Sequence, residues 1–306
     1  MDALSVCDVS KAYGRHLALN HVSFNVPSGS ITALLGPNGA GKSSLMRIIC
    51  GISEPSSGGI LLGGERLQQL PTPVSYIGAL LNSDWLDTRL TCEQIMRVQA
   101  HLLRIRDIPV TVEYLLGKVG LADSQKKKVK HLSLGMRQRL ALAVAMLGEP
   151  KVLILDEPVN GLDPQGVRWL RLLLHDFKDR GGTILISSHL IAEVQLIATD
   201  VVVINQGSIK FSGKIEDIQF SSTATQFECL HIQDLETFVS YLHQDYPSVH
   251  FVREEESYIA YGINPETIFS AASHRGVVLK KLLERKPSLE DMYFGIIEDN
   301  KENIVK

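Results

Sequence analysis

The chain has 306 residues, 44% of them hydrophobic and 21% charged, with a formal net charge of −3; that is room for one large domain, or for one domain and a smaller appendage. This balance excludes a protein built to coat a nucleic acid, and the one compact basic run, KKKVK at 126–130, reads as a solvated loop. Four cysteines without a CxxC pair (Cys7, Cys50, Cys92, Cys229) suit reduced thiols in a cytosolic protein, and the longest apolar run, LALAVAML at 140–147, is too short to span a bilayer, so a soluble chain without a leader peptide is expected.

In chain order, MDALSVCDVSKAYG alternates as a strand would. VSFNV (22–26) and ITALL (31–35) follow as strands, then KSSLMRIICG (42–51) as an apolar-faced helix closed by a glycine. VSYIG (74–78) is a further strand. Helices are expected over 91–105, 111–119, 134–148, 164–180 and 190–199. Between them stand the unbroken apolar runs KVLIL (151–155), TILIS (183–187) and DVVVI (200–204), the mark of parallel strands covered on both faces. Residues 1–220 are therefore read as one α/β domain. SSTATQ (221–226) reads as a polar linker into a small α/β appendage, 221–306, whose strands and helices alternate over 227–294.

Two stretches carry chemistry. GPNGAGKS, residues 36–43, lies between a strand and a helix. There, glycines let backbone N–H groups turn inward around a phosphate, and the helix dipole adds positive potential. The cradle comprises Gly36, Pro37, Asn38, Gly39, Ala40, Gly41, Lys42, Ser43 and Ser44; Lys42 would reach the β- and γ-phosphates and Ser43 would ligate Mg²⁺. LILDEP (153–158) ends a buried strand in two acids at the edge of the sheet where ligands of such folds sit. Asp156 would hold the metal, and Glu157 would polarise the water that attacks the γ-phosphate.

A third stretch, LSLGM at 132–136, resembles the LSGGQ signature of ABC (ATP-binding-cassette) ATPases. The rest of residues 4–215 agrees in order and spacing: Tyr13 where that family stacks an aromatic on adenine, a Walker A loop at 36–44, a Walker B strand at 153–158, a D-loop NGLDP at 160–164, and a switch histidine, His189, in SSHL. The resemblance implies a P-loop ABC ATPase fold: a RecA-like core, an antiparallel β subdomain and a helical subdomain at about 83–148. It also implies that Ser133, Gly135 and Asp163 serve the nucleotide of a second chain, so that two copies, or this chain and a related ATPase, sandwich ATP. On local grounds Ser133 and Asp163 read equally as helix N-caps, and both roles stay open.

The sequence departs from the family pattern in three places: Leu134 and Met136 within the signature, and Asn82 where the family carries a glutamine that ligates Mg²⁺ and links to the membrane subunit. The IGALL form of that loop resembles the ATPases of bacitracin- and lantibiotic-type efflux systems. PSLEDMYF (287–294) is similar to the closing motif of drug- and peptide-exporting ABC ATPases. The expectation is therefore the ATPase subunit of a bacterial exporter, peripheral on the cytoplasmic face of the membrane. It would use ATP and Mg²⁺ and work with separate permease subunits and no nucleic acid. A soluble ABC ATPase and a weakly hydrolysing regulator are the alternatives.

Overall fold

The computed structural model describes residues 2–70, 75–218, 224–247 and 249–285, together with Leu289 and Tyr293. It divides into two compact units, Met1–Gly213 and Lys214–Lys306.

In the first unit, β1 (Asp2–Tyr13) and β2 (His16–Pro27) form a hairpin. β4 (Ser57–Leu62) and β5 (Glu65–Arg66) extend it into an antiparallel sheet of order β2-β1-β4-β5. Its apolar side, including Leu4, Val6, Val9, Leu19 and Val22, is fully withdrawn from solvent.

The second sheet is built from β3 (Ile31–Leu35), β6 (Ile77–Leu80), β7 (Val152–Leu155), β8 (Thr183–Ser188), β9 (Asp200–Asn205) and β10 (Ser208–Lys214). Its order is β10-β9-β3-β8-β7-β6, and the pairings from β9 through β6 are parallel. Every residue of β3, β7 and β8 is buried. That is why their sequences run apolar without alternation: neither face meets water. The parallel register brings the C-terminal ends of β3, β6, β7 and β8 to one edge.

The helices of this unit are α1 (Lys42–Ile49), α2 (Cys92–Leu102), α3 (Ile108–Lys118), α4 (Leu134–Met146), α5 (Pro164–Asp179) and α6 (Ile191–Gln195). The segment α2–α4 is inserted between β6 and β7. Thr91 opens α2 with a capping box, its hydroxyl accepting from Gln94 N while the Gln94 side chain accepts from Thr91 N. α4 is buried nearly all round, as Leu140, Ala141, Leu142, Ala143, Ala145 and Met146 show.

Three expectations need correction. The helix foreseen over 190–199 covers only Ile191–Gln195. Thr199 is drawn to the sheet instead, its N–H donating to Ile31 O at 2.8 Å as β9 begins. The strand foreseen at 74–78 starts at Ile77, because Tyr76 O accepts both the Lys151 and Val152 N–H groups where β7 starts; Val74 lies outside the described residues. The second half of SSTATQ is not a linker but the start of a strand. Thr225 there is fully buried, and its hydroxyl donates to Ile263 O at 2.7 Å.

After α7 (Ile215–Ile218), that strand opens the sheet of the second unit, whose described elements are β11 (Ala224–Cys229), α8 (Ile232–Asp245), β12 (His250–Glu254), β13 (Ser257–Tyr261), α9 (Pro265–Arg275) and β14 (Leu279–Arg285). The sheet order is β12-β13-β11-β14, all antiparallel, a βαββαβ arrangement of the ferredoxin-like kind. Phe227, Phe238, Leu242 and Ile268 fill its core. Phe227 meets Phe238 edge-on at 5.7 Å and stacks on Tyr258. Of PSLEDMYF, only Leu289 and Tyr293 are among the described residues, and both are buried.

Phe227→Ala is expected to destabilise the second unit by about 3–5 kcal/mol through the cavity it leaves. Hydrogen exchange should show the loss of protection in strands 224–229, 257–261 and 279–285, with the strands of the first unit unaffected.

Candidate active site

The loop 36–41 joins β3 to α1 and turns tightly. Gly41 precedes the helix at φ 108°, and a Cβ there would stand 2.7 Å from Ala18 O, so no larger residue fits without moving the β2 backbone. Lys42, the first helical residue, is only 6% exposed. Its Nζ donates to Gly36 O at 2.6 Å and Pro37 O at 3.3 Å, and lies 3.9 Å from Glu157 Oε1. Burial lowers the pKa of this ammonium, while the carboxylates of Glu157 and Asp156 oppose the fall.

The acids come from the end of β7. Asp156 N donates to Leu80 O at 2.7 Å, which ties its backbone to β6. Glu157 takes a left-handed conformation, φ 49°, unusual for a residue with a side chain. That turn aims its carboxylate inward: Oε1 faces Lys42, and Oε2 lies 2.8 Å from His189 Nδ1. His189 follows the end of β8, so β3, β7 and β8 each supply one member of this cluster.

Lys42, Asp156 and Glu157 border a cavity of about 340 Å³ that Tyr13, Pro37, Asn38, Gly39, Gly41, Ser43 and Ser44 also line; His189 is not among its lining residues and joins the site through Glu157. Tyr13 stands half exposed at its rim. Hydrogen bonding to the Ser44 and then the Ser53 hydroxyl lowers its phenol pKa, and the Lys11 ammonium lies 5.1 Å from its ring centre. Gly36 and Ala40 support the loop from behind: Gly36 O holds Lys42, and buried Ala40 accepts the Gly207 N–H at 3.1 Å. Sequence reading missed His16 and Ala18, which also line the cavity. The hairpin β1–β2 returns them beside Tyr13, a proximity signalled only by the short turn at Gly14. Asn82 is exposed and is not among the lining residues; its Oδ1 accepts from Asp84 N at 3.1 Å in a local turn.

Ser133, Gly135 and Asp163 gather elsewhere, with Leu134, Met136, Arg139, Gly161 and Leu162 around a second cavity of about 360 Å³ that shares no lining residue with the first. Both helix-cap readings hold. Ser133 Oγ accepts from Met136 N at 3.2 Å at the start of α4, and Asp163 Oδ1 accepts from Gly166 N at 2.7 Å at the start of α5, where Pro164 follows. Two helix N-termini thus face one notch. Leu134 leans across it onto Gly161, which sits at φ 77°.

The sequence profile described as "ABC transporter" matches residues 19–160. Over 206 residues the chain is 40% identical to the lantibiotic transport ATP-binding protein SrtF of Streptococcus pyogenes, a match covering 67% of this chain and 88% of that protein. The chain belongs to the ABC transporter family. Two further matches of this ABC protein run through both units: the Nod factor export ATP-binding protein I of Rhizobium leguminosarum bv. viciae (32% identity; 96% of this chain, 94% of that protein) and the bacitracin transport ATP-binding protein BcrA of Enterococcus faecalis (30%; 95% and 94%). A solved ATP-binding subunit of an ABC transporter superposes with a TM-score of 0.65 at 31% identity, over 71% of this chain and 92% of that one. The ABC protein is an ATPase that hydrolyses ATP to drive transport.

Gly161→Ala is expected to destabilise the protein by about 1–3 kcal/mol, since the new methyl meets a backbone at positive φ and a Cβ would stand 2.3 Å from Leu134 Cδ2. Adding Leu134→Ala should recover part of that loss by removing the clash, while the backbone term remains. Denaturant unfolding of the two single variants and the double variant checks this non-additivity.

Proposed function

We propose that this ABC ATPase powers efflux of an antimicrobial peptide, drug or similar amphiphile from a bacterium. It would act as a dimer on the cytoplasmic face of the membrane, bound to separate permease subunits. The direction of transport and the class of cargo rest on the relatives, which are named for lantibiotic and bacitracin transport and Nod factor export.

The observation that carries the dimer is the split of the site. One chain holds a phosphate cradle with its acids in one cavity, and a capped notch with Ser133, Gly135 and Asp163 in another. A notch of free helix N–H groups suits a γ-phosphate that the same chain's cradle does not deliver. A second copy, placed head to tail, supplies it.

Ser43 and Asp156 line the same cavity and offer one hydroxyl and one carboxylate oxygen, and no cluster of three metal-binding side chains exists among the described residues. This sparse oxygen donor set fits Mg²⁺, which keeps several waters and takes the rest of its ligands from phosphates. Bound there, Mg²⁺ would neutralise the charge on the β- and γ-phosphate oxygens. Lys42 would leave its carbonyl partners for the phosphates. Glu157 would then be free to take hold of the attacking water, and His189, hydrogen-bonded to it, would orient that carboxylate and reach the γ-phosphate. Tyr13 would stack on adenine at the rim. Asn82, shorter than glutamine by one methylene, would reach the metal through a water, giving slow basal turnover with ordinary ATP affinity.

The permease contact is proposed for the loop and helix that follow Asn82. Trp85, Val98 and Leu102 are exposed there, the last two one helical turn apart on α2. Among the described residues no helix is long and apolar enough to cross a membrane.

The direct test is Glu157→Gln, which leaves the cradle intact. It is expected to bind ATP normally, to lose at least about a hundredfold in kcat, and to elute as an ATP-dependent dimer in size exclusion. Adding Ser133→Arg should abolish the dimer without weakening ATP binding. A Glu157→Gln protein that binds MgATP and stays monomeric contradicts the composite site. For the permease contact, Val98→Asp with Leu102→Asp should reduce co-purification with the cognate multi-span protein and leave basal ATPase activity unchanged.

A further inference from the structure

Ser187 has no part in the account above, yet it touches both acids of the site. The β7–β8 ladder ends at the pair Leu155–Ile186, so Asp156 and Ser187 form the next rung, where backbone pairing stops. There the serine side chain takes over. Its hydroxyl donates to Asp156 Oδ1 in a short hydrogen bond, and its oxygen accepts the Glu157 N–H at 2.9 Å.

We propose that Ser187 is a positioning residue for ATP hydrolysis: a single buried hydroxyl that sets the direction of the Asp156 carboxylate and the backbone turn of Glu157 together. The inference rests on the reading that Asp156 serves the metal and Glu157 the attacking water.

Three features support it. Ser187 is fully buried, so no solvent competes for its hydroxyl or replaces it. Its donor and an acceptor lone pair are spent on two consecutive residues with different tasks, so one rotamer of one side chain governs both. The turn at Glu157 sits at φ 49°, a backbone state that persists only where its surroundings hold it, and the Ser187 acceptor is what its N–H meets. Without that acceptor the N–H loses its partner, the carboxylate of Glu157 no longer keeps its place between Lys42 and His189, and Asp156 is free to rotate. The neighbouring Ser188 is no substitute, because its hydroxyl accepts the Leu190 N–H at 2.9 Å and shapes the next turn.

The test compares Ser187→Thr with Ser187→Val in the full-length protein. These replacements are nearly equal in size and differ in the hydroxyl. ATP binding is measured directly, in EDTA and in Mg²⁺, beside kcat and the thermal midpoint. Ser187→Val is expected to lose about ten- to a hundredfold in kcat, and to lose part of the tightening of ATP binding that Mg²⁺ brings, with affinity in EDTA unchanged. Ser187→Thr should keep most of the wild-type kcat and of that tightening. Ser187→Ala, which adds no bulk, should match Ser187→Val and decides the question if the larger replacements fail to fold.

Equal behaviour of Thr and Val would overturn the proposal, as would wild-type kcat in Ser187→Ala. A fall in kcat matched by equal falls in EDTA affinity and thermal midpoint would reduce Ser187 to packing. Glu157→Gln run alongside separates the levels: wild-type turnover in that variant fails the reading beneath the proposal, and the proposal with it.

Discussion

A charged lysine held inside the protein sets the terms for the rest of the site. Burying an ammonium without partners costs several kcal/mol, and Lys42 avoids that cost through the Gly36 and Pro37 carbonyls and the nearby Glu157 carboxylate. Such partners exist only if the loop after β3 folds back over its own helix and if β7 ends close to it. The first follows from the glycines of the loop, Gly41 among them at φ 108°, and the second from the parallel order of β3, β8 and β7. The same arrangement leaves the lysine poised for the proposed role: the carbonyls that hold it in the free protein are contacts that triphosphate oxygens would take over.

The acids are governed by the same edge. Asp156 is tied through its backbone to β6 and through its side chain to β8, and Glu157 is bent into a left-handed turn that faces Lys42 and His189. Strain at one residue is held by hydrogen bonds from its neighbours, which keeps the carboxylate aimed as the proposed role requires. The notch at Ser133 and Asp163 uses different physics. There the two side chains cap helices within their own chain, each satisfying one N–H of a helix N-terminus that has several to spare. Capping in cis and phosphate binding in trans are compatible, because an N-cap satisfies only part of a helix N-terminus.

The site was legible in the sequence where its chemistry is local. A cradle, an acid pair after a buried strand, and an N-cap before a helix are each written in a few consecutive residues, and the apolar runs of β3, β7 and β8 placed them at strand ends. What escaped depends on sheet order. Ser187 meets Asp156 only because β7 and β8 are neighbours, His16 joins Tyr13 through a hairpin, and Leu134 covers Gly161 across two loops. No spacing announces such contacts. Errors at element ends had a similar origin: Thr199 leaves the helical pattern for the sheet, and the polar-looking SSTATQ hides a buried strand whose Thr225 finds its partner at Ile263.

The central claim is that the two cavities of this chain complete each other only between copies. It is tested most directly by cross-linking with a short bifunctional thiol reagent, in a Cys7→Ser background that removes the exposed native thiol. Asn38→Cys marks the cradle and Ser133→Cys marks the notch, both in chains that also carry Glu157→Gln. The account predicts a cross-linked dimer when the two chains, each carrying one of the introduced cysteines, are mixed with MgATP, and none when nucleotide is omitted or when either introduced cysteine is left out. Cross-linking confined within one chain that carries both cysteines, or a mixture that stays monomeric at saturating MgATP, would contradict it.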